Sequence, residues 1–114
     1  MKNHFEDAFF KFQNLLRVAK QLPSFPILDD IEEKLLLNIG FAYQNNAPLL
    51  VGELLSQSEI ASQATIHGRI AMLHGKHLIK WQSDLDGRKK YAIPTAKASA
   101  YFSKIGECLI KAAA

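Results

Sequence analysis

The sequence predicts a mainly α-helical fold with one small β-hairpin, and three observations carry that expectation. Apolar residues recur at helical spacing near both termini and in the middle of the chain. Asp86-Gly87 separates two short runs, residues 78–82 and 89–93, that hold Ile79, Trp81, Tyr91 and Ile93. Such a break marks a hairpin, because a tight turn needs a positive φ that glycine and aspartate tolerate. Immediately before the hairpin, residues 51–57 and 62–74 read as a short helix and a longer one joined by a turn. Helix, turn, helix and basic hairpin, in that order, are the parts of a winged helix-turn-helix, here flanked by N- and C-terminal helices.

Asn3 caps the first helix, and Glu6 stands where it can reach back in a variant of the capping box. Phe5, Ala8, Phe9, Phe12, Leu16 and Ala19 form the apolar stripe of this helix, widened by Phe10 and Leu15. So wide a stripe has two readings: part of it docks on a second subunit, or the helix is sunk deeper in its own core. Pro23-Ser24-Phe25-Pro26 ends the helix, since proline donates no amide hydrogen and drives its predecessor out of the α region. Asp29 or Asp30 caps the next helix, with Glu32 and Glu33 at its positive end. Ile31, Leu35, Ile39 and Ala42, broadened by Leu36 and Tyr43, make this the central helix, and Asn45-Asn46-Ala47-Pro48 stops it.

Leu54 and Leu55 of the short helix point inward, Ser58-Glu59-Ile60-Ala61 is the turn, and Ser62 caps the helix behind it. Ile66, Ile70 and Leu73 take the buried face of that helix, and Gly75 is expected at the left-handed position that closes it. The two-stranded ribbon that follows is marginal alone and must pack on the domain. Pro94-Thr95 then begins a last helix with Ala98, Tyr101, Phe102, Ile105 and Leu109 on one face. The expectation is one domain over residues 1–114, with a core at 29–94 and flanking helices at about 3–22 and 95–112.

Composition narrows the function classes. A hydrophobic content of 48% with 22% charged residues is that of a folded globular chain and excludes global disorder. The net charge of +3 and pI near 9.1 are only mildly basic, so the distribution of charge decides more than its total. Residues 1–57 hold five Lys/Arg against seven Asp/Glu, whereas residues 58–114 hold nine against four, so the positive charge lies with the hairpin. Glu6 and Asp7 stand in the first ten residues and no apolar run approaches the ~18 residues of a membrane span, so neither a secretory signal nor a transmembrane helix is expected. The expected location is cytoplasmic. Cys108 is the single cysteine; it has no disulfide partner in the chain and is read as a core residue.

The chemistry rests on the helix at 62–74 and on the hairpin tip. A helix entering the major groove needs short polar side chains at its start and a rigid apolar back. Ser62 starts it; Gln63 suits an adenine edge, Arg69 a guanine or a phosphate, and Thr65 and His67 either base or backbone. Gly68, which costs roughly 1 kcal/mol against alanine inside a helix, either permits close approach of a backbone or is simply tolerated. Arg88, Lys89 and Lys90 follow the hairpin tip, where long cationic side chains reach phosphates or a narrow minor groove.

At these positions the chain resembles the MarR-like winged-helix transcriptional regulators. Asp86-Gly87-Arg88 matches the Asp-x-Arg wing motif of that family, and Pro94-Thr95 stands where the family usually has Leu-Thr. Val51-Gly52-Glu53-Leu54 looks like the start of its supporting helix, and residues 73–79 like its exit into the wing. The resemblance covers roughly residues 47–98. It implies that Arg88 enters the minor groove, that Asp86 orients the wing, and that the chain is a homodimer built through its terminal helices. It also implies a small-molecule effector, of unknown identity, that releases DNA.

The reading from sequence is therefore a sequence-specific, homodimeric DNA-binding repressor without cofactor or membrane attachment. The alternative is a winged-helix protein-interaction module, which would show an apolar wing or helix surface in place of charge. Histidines 67, 74 and 77 lack the cysteines or carboxylates that would complete a metal site. Residues 83–87 resemble a fragment of a calcium loop but lack its length and terminal Glu. No phosphate-binding loop, nucleophile elbow or acid/base pair is legible, so catalysis is not expected.

Overall fold

Helices begin, in the computed structural model, which describes residues 3–114, where a side chain can accept the orphan amides of the first turn. Asn3 Oδ1 accepts from Phe5 and Glu6 N–H at 2.9 and 3.2 Å and starts α1 (His4–Ala19). Asp29, not Asp30, caps α2 (Asp30–Gln44): its Oδ1 accepts from Glu32 N–H at 2.8 Å while Glu32 Oε1 accepts from Asp29 N–H at 3.1 Å. Glu53 Oε1 accepts from Leu50 N–H at 2.9 Å over the start of α3 (Val51–Leu55). Ser62 Oγ accepts from Thr65 N–H at 3.2 Å and caps α4 (Gln63–Gly75). Thr95 Oγ1 accepts from Ala98 N–H at 3.2 Å and starts α5 (Ala96–Ala113).

The close of α4 corrects the expectation for Gly75. That residue is the last of the helix, and the left-handed position belongs to His77, at φ 60°. His77 N–H donates to His74 O and Leu78 N–H to Leu73 O, both at 3.0 Å, the paired bonds of a Schellman closure. Leu73 and Leu78 are both fully buried, which supplies the apolar contact that accompanies this motif. A residue with a Cβ costs roughly 1–2 kcal/mol in this conformation; the capped carbonyls and the burial of Leu78 offset it. α2 closes the same way on Asn46, at φ 57°, with Ala47 N–H donating to Ala42 O at 2.9 Å.

The hairpin is part of a three-stranded antiparallel sheet in the order β1-β3-β2, formed by β1 (Leu49–Leu50), β2 (Ile79–Ser83) and β3 (Lys90–Pro94). The expected two-stranded ribbon is thus corrected in two respects. Both strands start one residue later than the pattern suggests: Leu78 is taken up in closing α4, and the ladder ends at the pair Ser83 with Lys90. A third strand pairs Leu49 with Ala92 and Leu50 with Tyr91, and a two-residue run behind Pro48 has no alternation by which to announce itself. Pro94 pairs only with Ile79, past the residues that meet β1, so its missing N–H interrupts no central ladder.

The chain folds as two compact units. In the unit Leu28–Ala98, Leu35, Leu36, Ile39, Leu54, Ile66, Leu73 and Leu78 are wholly inaccessible and form the core between α2, α4 and the sheet. In the unit made by the residues up to Ile27 with Ser99–Ala114, Ala19, Cys108 and Ala112 are buried, and the Phe25 and Tyr101 rings lie 5.2 Å apart. The wide stripe of α1 is not sunk in a core of its own: Phe12, Leu15 and Leu16 are half-buried, while Phe5, Phe9 and Phe10 are 89%, 54% and 61% exposed. On α5 the inward line passes through Cys108, and Leu109, expected on it, is exposed. No described helix is long and apolar enough to cross a membrane.

Candidate nucleic-acid interface

α4 has three distinct sides, each set by the 3.6-residue period. Ile66, Ile70 and Leu73 are buried against the core of their unit. Opposite them Ala64, Gly68, Ala71 and Gly75 are exposed, so the outermost ridge of the helix carries no side chain longer than a methyl group. A Cβ built at Gly68 meets nothing within 4 Å, so no packing within the protein requires glycine there. Gln63 is exposed at the first turn. Ser62 and Thr65 bond to each other: Ser62 Oγ donates to Thr65 Oγ1 at 2.9 Å and accepts from its N–H, so both hydroxyls belong to the cap.

One flank of α4 is tied to the start of α2. Arg69 Nε donates to Asp29 Oδ2 at 2.6 Å, and Lys76 Nζ to Glu32 Oε2 at 2.6 Å. The two carboxylates of the α2 capping box therefore also hold the outer helix: Glu32, only 2% exposed, has one oxygen on the Asp29 amide and the other on Lys76. Sequence reading did not detect this double use, because 40 residues separate Asp29 from Arg69 and no local pattern joins them. It leaves Arg69 with only its terminal nitrogens for any contact outside the protein.

Asp29's carboxyl is held below the ordinary carboxylate range chiefly by the Glu32 backbone N–H; burial opposes this, and the hydrogen bond and charge of Arg69 add to the lowering. A depressed folded value means that its stabilisation is present above the unfolded value and is lost as pH falls through the folded one. Asn retains the cap but not the charge. Asp29→Asn is therefore expected to be less stable than the parent at neutral pH, and chemical unfolding across a pH series should show the gap closing on acidification. A gap independent of pH would contradict the assigned ion pair.

The other flank of α4 adjoins the sheet. His74 stacks on Trp81 of β2, with ring centroids 6.1 Å apart and planes 20° from parallel. With Val51, His67, Ile70 and Ala71 these rings line an open cavity of about 260 Å³. His77 serves the backbone, its carbonyl accepting from Thr95 Oγ1 at 2.6 Å. Among the described residues no three potential metal-ligand side chains come together.

The wing is built by two aspartates. β2 and β3 end their ladder at Ser83 and Lys90, and Gly87 N–H donates to Asp84 O at 3.1 Å to close a four-residue turn with Gly87 at φ 75°. Asp84 Oδ1 accepts from Lys89 N–H at 3.3 Å and Asp86 Oδ1 from Arg88 N–H at 3.1 Å. Burial within the turn works to raise the Asp84 carboxyl, but its partners in the turn, the amides of Lys89, Arg88 and Gly87 among them, outweigh it and hold it low. Asp86 Oδ2 also lies 3.7 Å from Arg88 Nε, an exposed pair of small energetic weight that nevertheless steers the guanidinium. The Arg88 side chain is 85% exposed, and Lys89 and Lys90 are exposed beside it. Leu85, which the sequence reading passed over, is fully exposed at the apex; its one signal was an apolar residue inside a polar turn.

Comparison with solved structures places this architecture. The chain is similar to a transcriptional regulator from Thermotoga maritima, with TM-score 0.56 and 17% identity over 91% of this chain and 66% of that one. It is also similar to a MarR-like transcriptional regulator from the same organism, with TM-score 0.57 and 18% identity over 97% of this chain and 80% of that one. The chain thus spans about two thirds to four fifths of their lengths. At such identity the likeness establishes the fold: mostly helical, with a small antiparallel sheet, in the winged-helix arrangement of MarR-like regulators. No family model matches the sequence, and no curated protein resembles it in sequence.

Proposed function

We propose that this protein is a sequence-specific DNA-binding transcriptional regulator that acts as a homodimeric repressor. One observation carries the reading: a capped helix whose outer ridge is Ala64, Gly68, Ala71 and Gly75 stands beside a sheet whose hairpin presents Arg88, Lys89 and Lys90 to solvent on a turn stapled by Asp84 and Asp86. A ridge of small residues lets the helix backbone sink close to the floor of a major groove, while Gln63 at its start reaches an adenine edge. Cations at the wing tip reach the flanking phosphates or the minor groove, with Arg88 as the deepest. Ser62 and Thr65 act by holding the helix start in shape; His67, facing the cavity beside Trp81, is a backbone contact.

The structural likeness to two transcriptional regulators supports the regulatory role. The dimer is supported by the terminal helices, where Phe5, Phe9 and Phe10 of α1 and Leu109 and Ile110 of α5 are more than half exposed. The Phe9 and Phe10 rings are in contact, their centroids 5.2 Å apart, and exposed apolar side chains that adjoin one another mark interaction surfaces. Two copies would set their α4 helices in successive major grooves about 34 Å apart on a palindromic operator, and occupation of that operator blocks transcription.

Selection of bound sequences from a random duplex pool, with the solution mass measured alongside, tests the reading. A palindromic consensus and twice the chain mass are expected. No enrichment over the starting pool would refute DNA readout, and a monomer mass would refute the dimer. With the consensus known, Gln63→Ala should relax preference at one or two base pairs by about 1–3 kcal/mol each. Unaltered preference at every position would mean that the helix lies in another register.

A further inference from the structure

We infer that Leu85 is an apolar DNA contact, a side chain that the wing presses against the sugar edges lining the minor groove beside Arg88. The inference rests on the DNA-binding reading above and adds to it a contact that is independent of charge.

Leu85 is at 110% of its reference exposure, the most exposed of the large apolar side chains among the described residues. Its position is nonetheless held firmly. The turn it occupies has Gly87 N–H on Asp84 O, Arg88 N–H on Asp86 Oδ1 and Lys89 N–H on Asp84 Oδ1, so three consecutive amides on the return side of the turn are bonded within the loop. Leucine is not required by any of these bonds. Its position, second in the turn, accepts most residues and favours proline, so the turn geometry gives no reason for a branched apolar side chain. Nothing in the fold shelters it, and removing it opens no cavity.

What surrounds it indicates the partner. Arg88, Lys89 and Lys90 follow within five residues and are exposed, so a surface approaching the tip is selected for negative charge. An apolar side chain at a loop tip, with three cations following it in the same loop, suits a target whose charged rails flank an apolar wall. The minor groove has that layout, with phosphates on its rims and deoxyribose carbons along its sides, and proteins that enter it set apolar side chains against its steps. Asp84 and Asp86 turn carboxylate oxygens inward onto backbone amides, which limits their repulsion of the rims.

The test is the affinity of the full-length protein for its selected duplex across a salt series, for the parent, Leu85→Ala and Leu85→Met. Truncation of a side chain that becomes buried on binding is expected to weaken affinity by about tenfold. Because no charge is removed, the slope of log affinity against log salt should stay at the parent value. Methionine, also long and apolar, should restore affinity to within about threefold of the parent. Thermal unfolding should be the same for all three, which separates a contact from a fold defect. Affinity of Leu85→Ala within twofold of the parent would overturn the inference, as would a loss that methionine fails to restore. Failure of the parent itself to select any duplex would instead refute the DNA-binding reading, and this contact with it.

Discussion

Arg88→Ala is expected to weaken duplex binding about 10- to 100-fold for every sequence alike, the worth of one charge-assisted hydrogen bond in a desolvated groove. The log–log dependence of affinity on salt should become shallower by about 0.9, the counterion share of a single phosphate. The fold has little stake in this side chain: it is 85% exposed, and its ion-pair partner Asp86 lies 3.7 Å away. The staple that shapes the turn uses the Arg88 backbone N–H, which alanine retains. An unchanged melting temperature with reduced affinity is therefore expected. Arg88→Lys should keep the salt slope while losing part of the affinity, because an ammonium carries the charge without the planar fork. If the alanine variant kept both the affinity and the salt slope of the parent, the wing would not be a DNA contact.

Ile66→Ala and Gly68→Ala, two residues apart on α4, are expected to move stability in opposite directions. Ile66 is fully buried, and its truncation should cost about 2–5 kcal/mol through lost transfer energy and an unfilled cavity. That is a large share of the 5–15 kcal/mol that hold a domain together, and the melting temperature should drop by roughly 10 °C or more. At Gly68 the added methyl group meets open space, so relief of the glycine penalty in mid-helix should raise stability by about 0.5–1 kcal/mol. The pair is checked by urea unfolding of both variants. A destabilised Gly68→Ala would mean that α4 is not a regular helix there, and a neutral Ile66→Ala would mean that this face is not its buried one.

How much of this was legible beforehand depended on the range of the interaction. The cap at Asn3, the cap at Ser62, the buried triplet Ile66, Ile70 and Leu73, and the hairpin at Asp86-Gly87 all lie within a few residues of their causes, and each is found in the structure. The closure of α4 on His77 was missed because glycine is the usual signal for a left-handed residue. What permits histidine here is the burial of Leu78 beside Leu73, a fact of packing. Strand β1 was missed because its two residues become a strand only when β3 is already in place.

The candidate interface divides along the same line. Residue identities alone mark Gln63 and the Arg88 to Lys90 run as polar or cationic groups of the chemistry that meets DNA. Three-dimensional packing assigned Arg69 to Asp29 and turned the smallest residues of α4 outward. Chain order and helical period were determined by the sequence itself, since each is a matter of local sterics and of apolar residues spaced to share one face. Which polar groups remain available for binding was decided only by the tertiary structure, because a charge is neutralised by whichever opposite charge the fold brings within a few ångströms, however far apart the two stand in the chain.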